Sequence, residues 1–205
     1  DPLGAADLWL QRLVPGGLLL IEEVESIETE EPALARYLAL QRGMLEADGH
    51  LDALELSGGG SLANPMYLFR GDVPRKEFAA TLPAVLRPAF KLVGKRFMPE
   101  YPYEEAYFLP GARQFRDALS MPLVLLGGVS RLDTIEQAMA DGFEFVAMGR
   151  ALLREPDLVN RMKAGSATTS ACIHCNKCMP TIYRGTHCVL VEPGDRPGLR
   201  LTVTT

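Results

Sequence analysis

The sequence predicts an α/β chain built on parallel strands, and three features of Met121 to Arg154 carry that prediction. Pro122 to Leu126 and Phe143 to Met148 are short apolar runs without alternation, the pattern of parallel strands covered on both faces. Between them Ile135, Ala138 and Met139 recur at helical spacing, after a capping-box-like start at Ser130-Arg131-Leu132-Asp133 and before a stop at Gly142. Each apolar run ends in glycine, Gly127-Gly128 and Gly149, so the unit reads as strand, helix, strand with both strand ends facing one ligand.

Glycines at the carboxyl ends of neighbouring parallel strands let backbone N–H groups approach an anion closely, because no β-carbon stands in the way. Arg150 follows Gly149 directly and can add a bidentate charged contact. In (β/α)8 barrels the usual phosphate site lies in the loops after strands seven and eight, with the N-terminus of a short extra helix. Ala151-Leu152-Leu153 can begin such a helix. The candidate cofactor-binding residues are therefore Gly127, Gly128, Gly149 and Arg150, and the candidate ligand is a cofactor phosphate. Read alone, these glycines would only end strands.

The remaining elements follow from the N-terminus. Gly17 to Ile21 is a buried-strand pattern, the acidic run Glu22 to Glu31 returns the chain to the surface, and Thr29 to Pro32 opens a helix that runs to Gly49. Leu51 to Leu56 is the next strand, with Ser57-Gly58-Gly59-Gly60 at its carboxyl end. Ser61 to Tyr103 is a long connection rich in proline and aromatics, of the kind that forms a lid or binding loop. Part of it, Lys76 to Leu92, has helical character despite Pro83 and Pro88. Tyr67 and Arg70 are its candidate substrate-binding residues. Pro110 to Leu119 is amphipathic, with Ala112, Phe115 and Leu119 on one face. Leu199 to Val203 is a possible last strand.

These residues carry a family resemblance. LLGGVSRLDTIEQAMADGFEFVAMGRALLREPDLVNRM resembles the end of the barrel in the old yellow enzyme family, the NADH:flavin oxidoreductases that hold FMN in a (β/α)8 barrel. DALELSGGGSLANPMYLFRGDVP resembles the family's sixth strand and following loop, and EEAYFLPGARQFRDALSMP the helix into strand seven. The likeness runs from about Met44 to Leu190 and implies an α/β fold of (β/α)8 TIM-barrel type, of which only the C-terminal part is in evidence. It also implies FMN as cofactor, with its phosphate on Gly127, Gly128, Gly149 and Arg150, and NAD(P)H as reductant. A closed barrel needs eight strands, usually in ~250 residues, and the chain has 205. The expected organisation is an unassigned strand and helix in 1–43, part of an FMN-binding barrel in 44–165 and a cysteine-containing tail in 166–205. In the family the front half supplies the paired His or His-Asn, the proton-donating Tyr and the cation near flavin N1. Those motifs are not found in this sequence, and no catalytic residue is assigned. A piece of a flavoenzyme and a short chain that completes its sheet with another copy both remain open, and uncovered strand edges predict an oligomer.

All four cysteines fall in ACIHCNKCMPTIYRGTHC, a C-x2-C-x2-C-x9-C spacing at Cys172, Cys175, Cys178 and Cys188. Four thiolates so close in sequence can ligate an iron–sulfur cluster or, alone or with His174 or His187, a zinc ion. Reduced cysteines packed on the barrel and a redox disulfide are the other readings. The cluster-bearing dienoyl-CoA reductase branch of the family carries a run near C-x2-C-x3-C-x11-C at the same place, so this chain differs at two gaps.

Composition bounds the partners. Net charge is −5 from 21 basic and 26 acidic residues, which leaves no electrostatic footprint for a nucleic acid. The apolar stretches fall well below the ~20 residues of a membrane helix, and Asp1 opens without a signal-type segment. The expectation is a cytoplasmic FMN-dependent oxidoreductase that passes a hydride from NAD(P)H to an activated alkene such as an enone. A non-catalytic half-barrel binding module and a cysteine-centred metal or iron–sulfur protein are the alternatives.

Overall fold

The computed structural model describes residues 52–57 and 64–196. The strand expected at Gly17 to Ile21, the helix up to Gly49, the Gly58-Gly59-Gly60 turn and the strand at Leu199 to Val203 lie outside the described residues.

Three parallel strands form one sheet in the order β1 (Leu54–Leu56), β2 (Leu123–Leu125), β3 (Phe145–Val146). Leu54 to Leu56 pair with Leu123 to Leu125 in register, and Leu125 pairs with Val146. The helices are α1 (Pro65–Leu68), α2 (Arg75–Thr81), α3 (Arg87–Phe97), α4 (Leu109–Ala118), α5 (Leu132–Ala140), α6 (Arg150–Arg154) and α7 (Leu158–Lys163). A 3-10 turn, Ala84–Leu86, separates α2 from α3, and two more, Met179–Arg184 and Pro193–Asp195, lie in the tail.

The predicted β2–α5–β3 unit is present, with every strand shorter than its apolar run. β2 buries Leu123 and Leu125 completely, while Val124 is half-buried. β3 departs from the expectation of cover on both faces, since Phe145 remains 55% exposed. Among the described residues β3 pairs only with β2 and stands at the end of the sheet.

Amphipathic spacing sets the core. Leu109, Ala112 and Phe115 of α4, with Leu119 just beyond, turn inward onto Leu54, Leu56, Leu123 and Leu125, and Ala138 and Phe143 close the cluster from the α5 side. Burying each large side chain of this kind contributes about 1.5–3 kcal/mol. Pro110 sits in the first turn of α4, where its missing N–H costs nothing. The helical character expected over Lys76 to Leu92 is present, divided among α2, the 3-10 turn and α3. Leu82, which precedes Pro83, is held extended at φ −78 and ψ 150, and Pro88 falls in the first turn of the next helix.

The start of α5 also differs from its sequence signature. Arg131 is the N-cap residue and makes no side-chain cap, while Ser130 Oγ donates to Glu105 Oε2 at 2.7 Å. A long-range carboxylate thus takes the hydroxyl that the local pattern assigned to the cap. The stop is as expected: Gly142 has φ +91, which favours glycine, and its amide donates to Met139 O at 3.1 Å.

The segment after α7 returns to the sheet. Leu132 N donates to Thr168 O at 2.8 Å, and Glu155 Oε2 accepts from Ser170 Oγ at 2.8 Å and Ala171 N at 2.5 Å. These bonds bring 172–178 beside the 69–72 loop. The described residues contain a three-strand arc and no closed barrel, and no described helix is long and apolar enough to cross a membrane.

Candidate active site at the strand ends

Gly127-Gly128 follows β2 and Gly149 follows β3, so the parallel pairing places both turns at one edge of the sheet. Gly127 (φ +115) and Gly128 (φ +74) occupy backbone conformations that side chains rarely adopt. A β-carbon on Gly127 would run into the Phe108 ring, and one on Gly128 would lie 2.5 Å from Tyr107 Cε1. This packing by the turn before α4 accounts for both glycines without any ligand. Their amides are a separate matter: the N–H groups of Gly127, Gly128, Gly149, Arg150 and Ala151 donate to no acceptor among the described residues. Polar backbone of this kind needs a partner from water or a ligand. At Gly149 an added β-carbon would meet nothing within 4 Å, so the approach there is open. A phosphate group would accept from donors of this kind.

Arg150 has more than the expected task. Its Nη1 donates to Arg70 O at 2.7 Å and to Asn176 Oδ1, and Nη2 lies 3.5 Å from the Tyr107 hydroxyl. The guanidinium therefore ties α6 to the 69–72 loop and to the cysteine segment, with Nη2 more loosely held than Nη1. Asn176 is the centre of that junction. It is 1% exposed, and its Nδ2 donates to Phe69 O at 2.6 Å and to Asp72 O at 2.9 Å.

Tyr67, in α1, and Arg70, just beyond it, come together. The Arg70 guanidinium lies 4.7 Å from the Tyr67 ring centroid, 5.0 Å from that of Tyr107 and 5.9 Å from those of Tyr101 and Phe108. Arg70 Nε and Asn64 Oδ1 are buried without a hydrogen-bond partner among the described residues.

Tyr103, Glu105 and His174 form a second cluster that sequence reading did not bring forward as a unit. The Tyr103 hydroxyl lies within hydrogen-bonding reach of Glu105, 2.6 Å from Gly128 O and 3.1 Å from Ser130 Oγ. Glu105 Oε1 accepts from Ser130 N at 2.7 Å and Arg131 N at 3.0 Å. Burial works to raise the Glu105 pKa, but the hydrogen bonds from Tyr103 and Ser130 outweigh it and hold the carboxyl below its ordinary range. Burial and the bond to Glu105 push Tyr103 well above the ordinary phenol range, so its hydroxyl stays protonated. The His174 ring stacks on Tyr103 at 3.4 Å between centroids and 10° between planes. Burial, helped by the Arg150 charge, lowers His174 to about 4. His174, Tyr103, Tyr101, Gly71 and Asp72 line a cleft of about 360 Å³. The only sequence signal for this group was the aromatic and acidic crowding of 101–108.

The sign of the pH dependence follows. Both His174 and Glu105 have folded-state pKa values below their ordinary ones, so each contributes stability that is present at neutral pH and lost on acidification. His174 acts first, as pH falls from about 6.5 towards about 4, and Glu105 follows below 4.5. Urea unfolding between pH 7 and pH 4 is expected to show falling stability, and His174→Asn, which tolerates the φ of +56 at this position, should flatten that decline. An unchanged profile in the variant would remove His174 as its source.

The four cysteines are free and half-buried. Burial raises the Cys172 and Cys178 thiols above their ordinary range. Among the described residues no three thiol, imidazole or carboxylate groups gather as a ligand set. Cys172, Cys175, Cys178 and Cys188 sit half-buried in one stretch of the tail, and their readings as metal ligands, reduced thiols or a redox disulfide stand as expectations from the sequence.

Among curated proteins, a 4,4'-dithiodibutanoate disulfide reductase of Rhodococcus erythropolis is 61% identical to this chain over 147 residues. The match covers 72% of this chain and 36% of that protein, so the chain spans about a third of the length of the curated relative it matches. By its name that relative is an oxidoreductase. No family model and no solved structure matches the chain.

Proposed function

We propose that this chain contributes the cofactor-phosphate end of an FMN-dependent NAD(P)H oxidoreductase of old yellow enzyme type whose substrate is an organic disulfide. The observation that carries this reading is the 61% identity to a disulfide reductase over 147 residues of this chain. It is supported by the amides of Gly127, Gly128, Gly149, Arg150 and Ala151 at the strand ends, which have no acceptor among the described residues. The overall reaction is R–S–S–R + NAD(P)H + H⁺ → 2 RSH + NAD(P)⁺, in which the disulfide takes two electrons and each sulfur ends with a proton. FMN, when bound, would supply the two-electron hydride chemistry.

The residues of this chain bind and orient. The five amides, with Arg150 beside them, hold the phosphate. Tyr107 and Phe108 shape the glycine turn from behind, and Tyr67 and Arg70 wall the substrate side. Tyr103 keeps its proton and fixes Glu105, so the pair holds the turn rather than supplying protons to product. An activated alkene is the second reading, favoured by the order of the motifs shared with the old yellow enzyme family.

The purified protein should take up FMN and become yellow. It should oxidise NAD(P)H when 4,4'-dithiodibutanoate is added and release free thiol in a two-to-one ratio to NAD(P)H. Turnover with cyclohexenone but not with the disulfide would move the reading to alkenes. Failure to bind FMN would end it. Arg150→Ala should weaken FMN retention about tenfold or more, the worth of a charged hydrogen bond. Unchanged retention would remove Arg150 from the phosphate site.

A further inference from the structure

Arg70 stands out among the charged side chains near this site. Its guanidinium is framed by the rings of Tyr67, Tyr107, Tyr101 and Phe108 at 4.7 to 5.9 Å, and its Nε is buried without a partner. No carboxylate pairs with it among the described residues, whereas Arg75, Arg113, Arg116, Arg131 and Arg161 each have one. Aromatic faces stabilise the cation but accept none of its in-plane N–H bonds. The charge is therefore held in place, and its Nε has no acceptor among the described residues. Its backbone carbonyl is fixed from the other side by Arg150 Nη1 at 2.7 Å, so the side chain springs from an anchored position. A planar fork presented edge-on matches the two oxygens of a carboxylate.

We propose that Arg70 recognises a carboxylate of the substrate, so that the enzyme acts on disulfides bearing a terminal acid. This rests on the disulfide reading above and narrows it to acidic substrates. The phosphate donors lie at the glycine turns, which leaves Arg70 as the cation on the substrate side. Tyr67 and Tyr101, in edge contact at 5.2 Å, hold it there.

The test compares 4,4'-dithiodibutanoate with its dimethyl ester in the FMN-loaded protein. Wild type should prefer the acid, and in Arg70→Gln the acid-to-ester ratio of kcat/KM should fall by about 10- to 100-fold. Arg70→Lys, which keeps charge without the fork, should fall between the two. Calorimetry with sebacate, a dicarboxylate of equal chain length that carries no disulfide, separates this proposal from the reaction itself. Wild type should bind sebacate and Arg70→Gln should not, even if neither disulfide is reduced. An unchanged ratio, equal sebacate affinity in the two proteins, or loss of FMN from Arg70→Gln with the ratio intact would overturn the proposal. The last result would assign the guanidinium to the cofactor phosphate. A thermal midpoint within a few degrees of wild type shows that the variant is folded.

Discussion

Replacing Asn176 by Ala is expected to cost about 3–5 kcal/mol of stability and to loosen the candidate site as a unit. The side chain is 1% exposed and joins three segments: Nδ2 donates to Phe69 O and Asp72 O, and Oδ1 accepts from Arg150. Truncation removes the side-chain partner of two carbonyls and one guanidinium donor, and each such group left unsatisfied away from water costs ~1–3 kcal/mol, more when charged. The φ of +54 adds to this, since Asn adopts the left-handed region more readily than Ala. Asn176→Asp separates the two contributions. It keeps the acceptor for Arg150 and the backbone tolerance but loses the donors to Phe69 O and Asp72 O, placing a carboxylate against two carbonyls. Chemical denaturation of both variants measures the cost. If Asn176→Ala unfolds within ~1 kcal/mol of wild type, water has replaced the side chain and the junction is not held by it.

How much of this was legible depends on the range of the interaction involved. The β2–α5–β3 unit was readable because apolar runs, helical spacing and Gly142 are local signals that agree with one another. The glycines were also readable as special positions. Their cause was only half readable, since the rings of Tyr107 and Phe108 that require glycine at 127 and 128 come from the turn before α4. Ser130 looked like a cap and serves Glu105 instead, because a carboxylate 25 residues away competes successfully for the hydroxyl. The cysteine spacing was legible as a cluster, but the run between the thiols also holds an asparagine whose partners lie 104 and 107 residues away. Nothing in a single sequence marks such a residue, because Asn in a polar run reads as surface.

Gly71→Ala should be comparably damaging, by a different route. Gly71 has φ +131, and a β-carbon there would collide with the His174 carbonyl oxygen while lying 3.1 Å from His174 Cβ and 3.3 Å from Asn176 Nδ2. The collision is with backbone that is already engaged, since His174 O accepts from Asp72 N at 3.1 Å and Gly71 N donates to Tyr101 O at 2.8 Å. Neither strand of this small bridge can yield without breaking a bond. The φ strain costs about 1–3 kcal/mol and the overpacking a similar amount, so ~3–5 kcal/mol is expected. The displaced 174–176 backbone would carry Asn176 away from Phe69 O and Asp72 O, so the two substitutions damage one junction. In a double-mutant cycle Gly71→Ala with Asn176→Ala should cost at least ~1 kcal/mol less than the sum of the single variants. Strict additivity would mean that Gly71 and Asn176 support the site independently. In that case the contact between the 69–72 loop and the cysteine segment would not be what couples Arg150, Arg70 and the cleft beside His174.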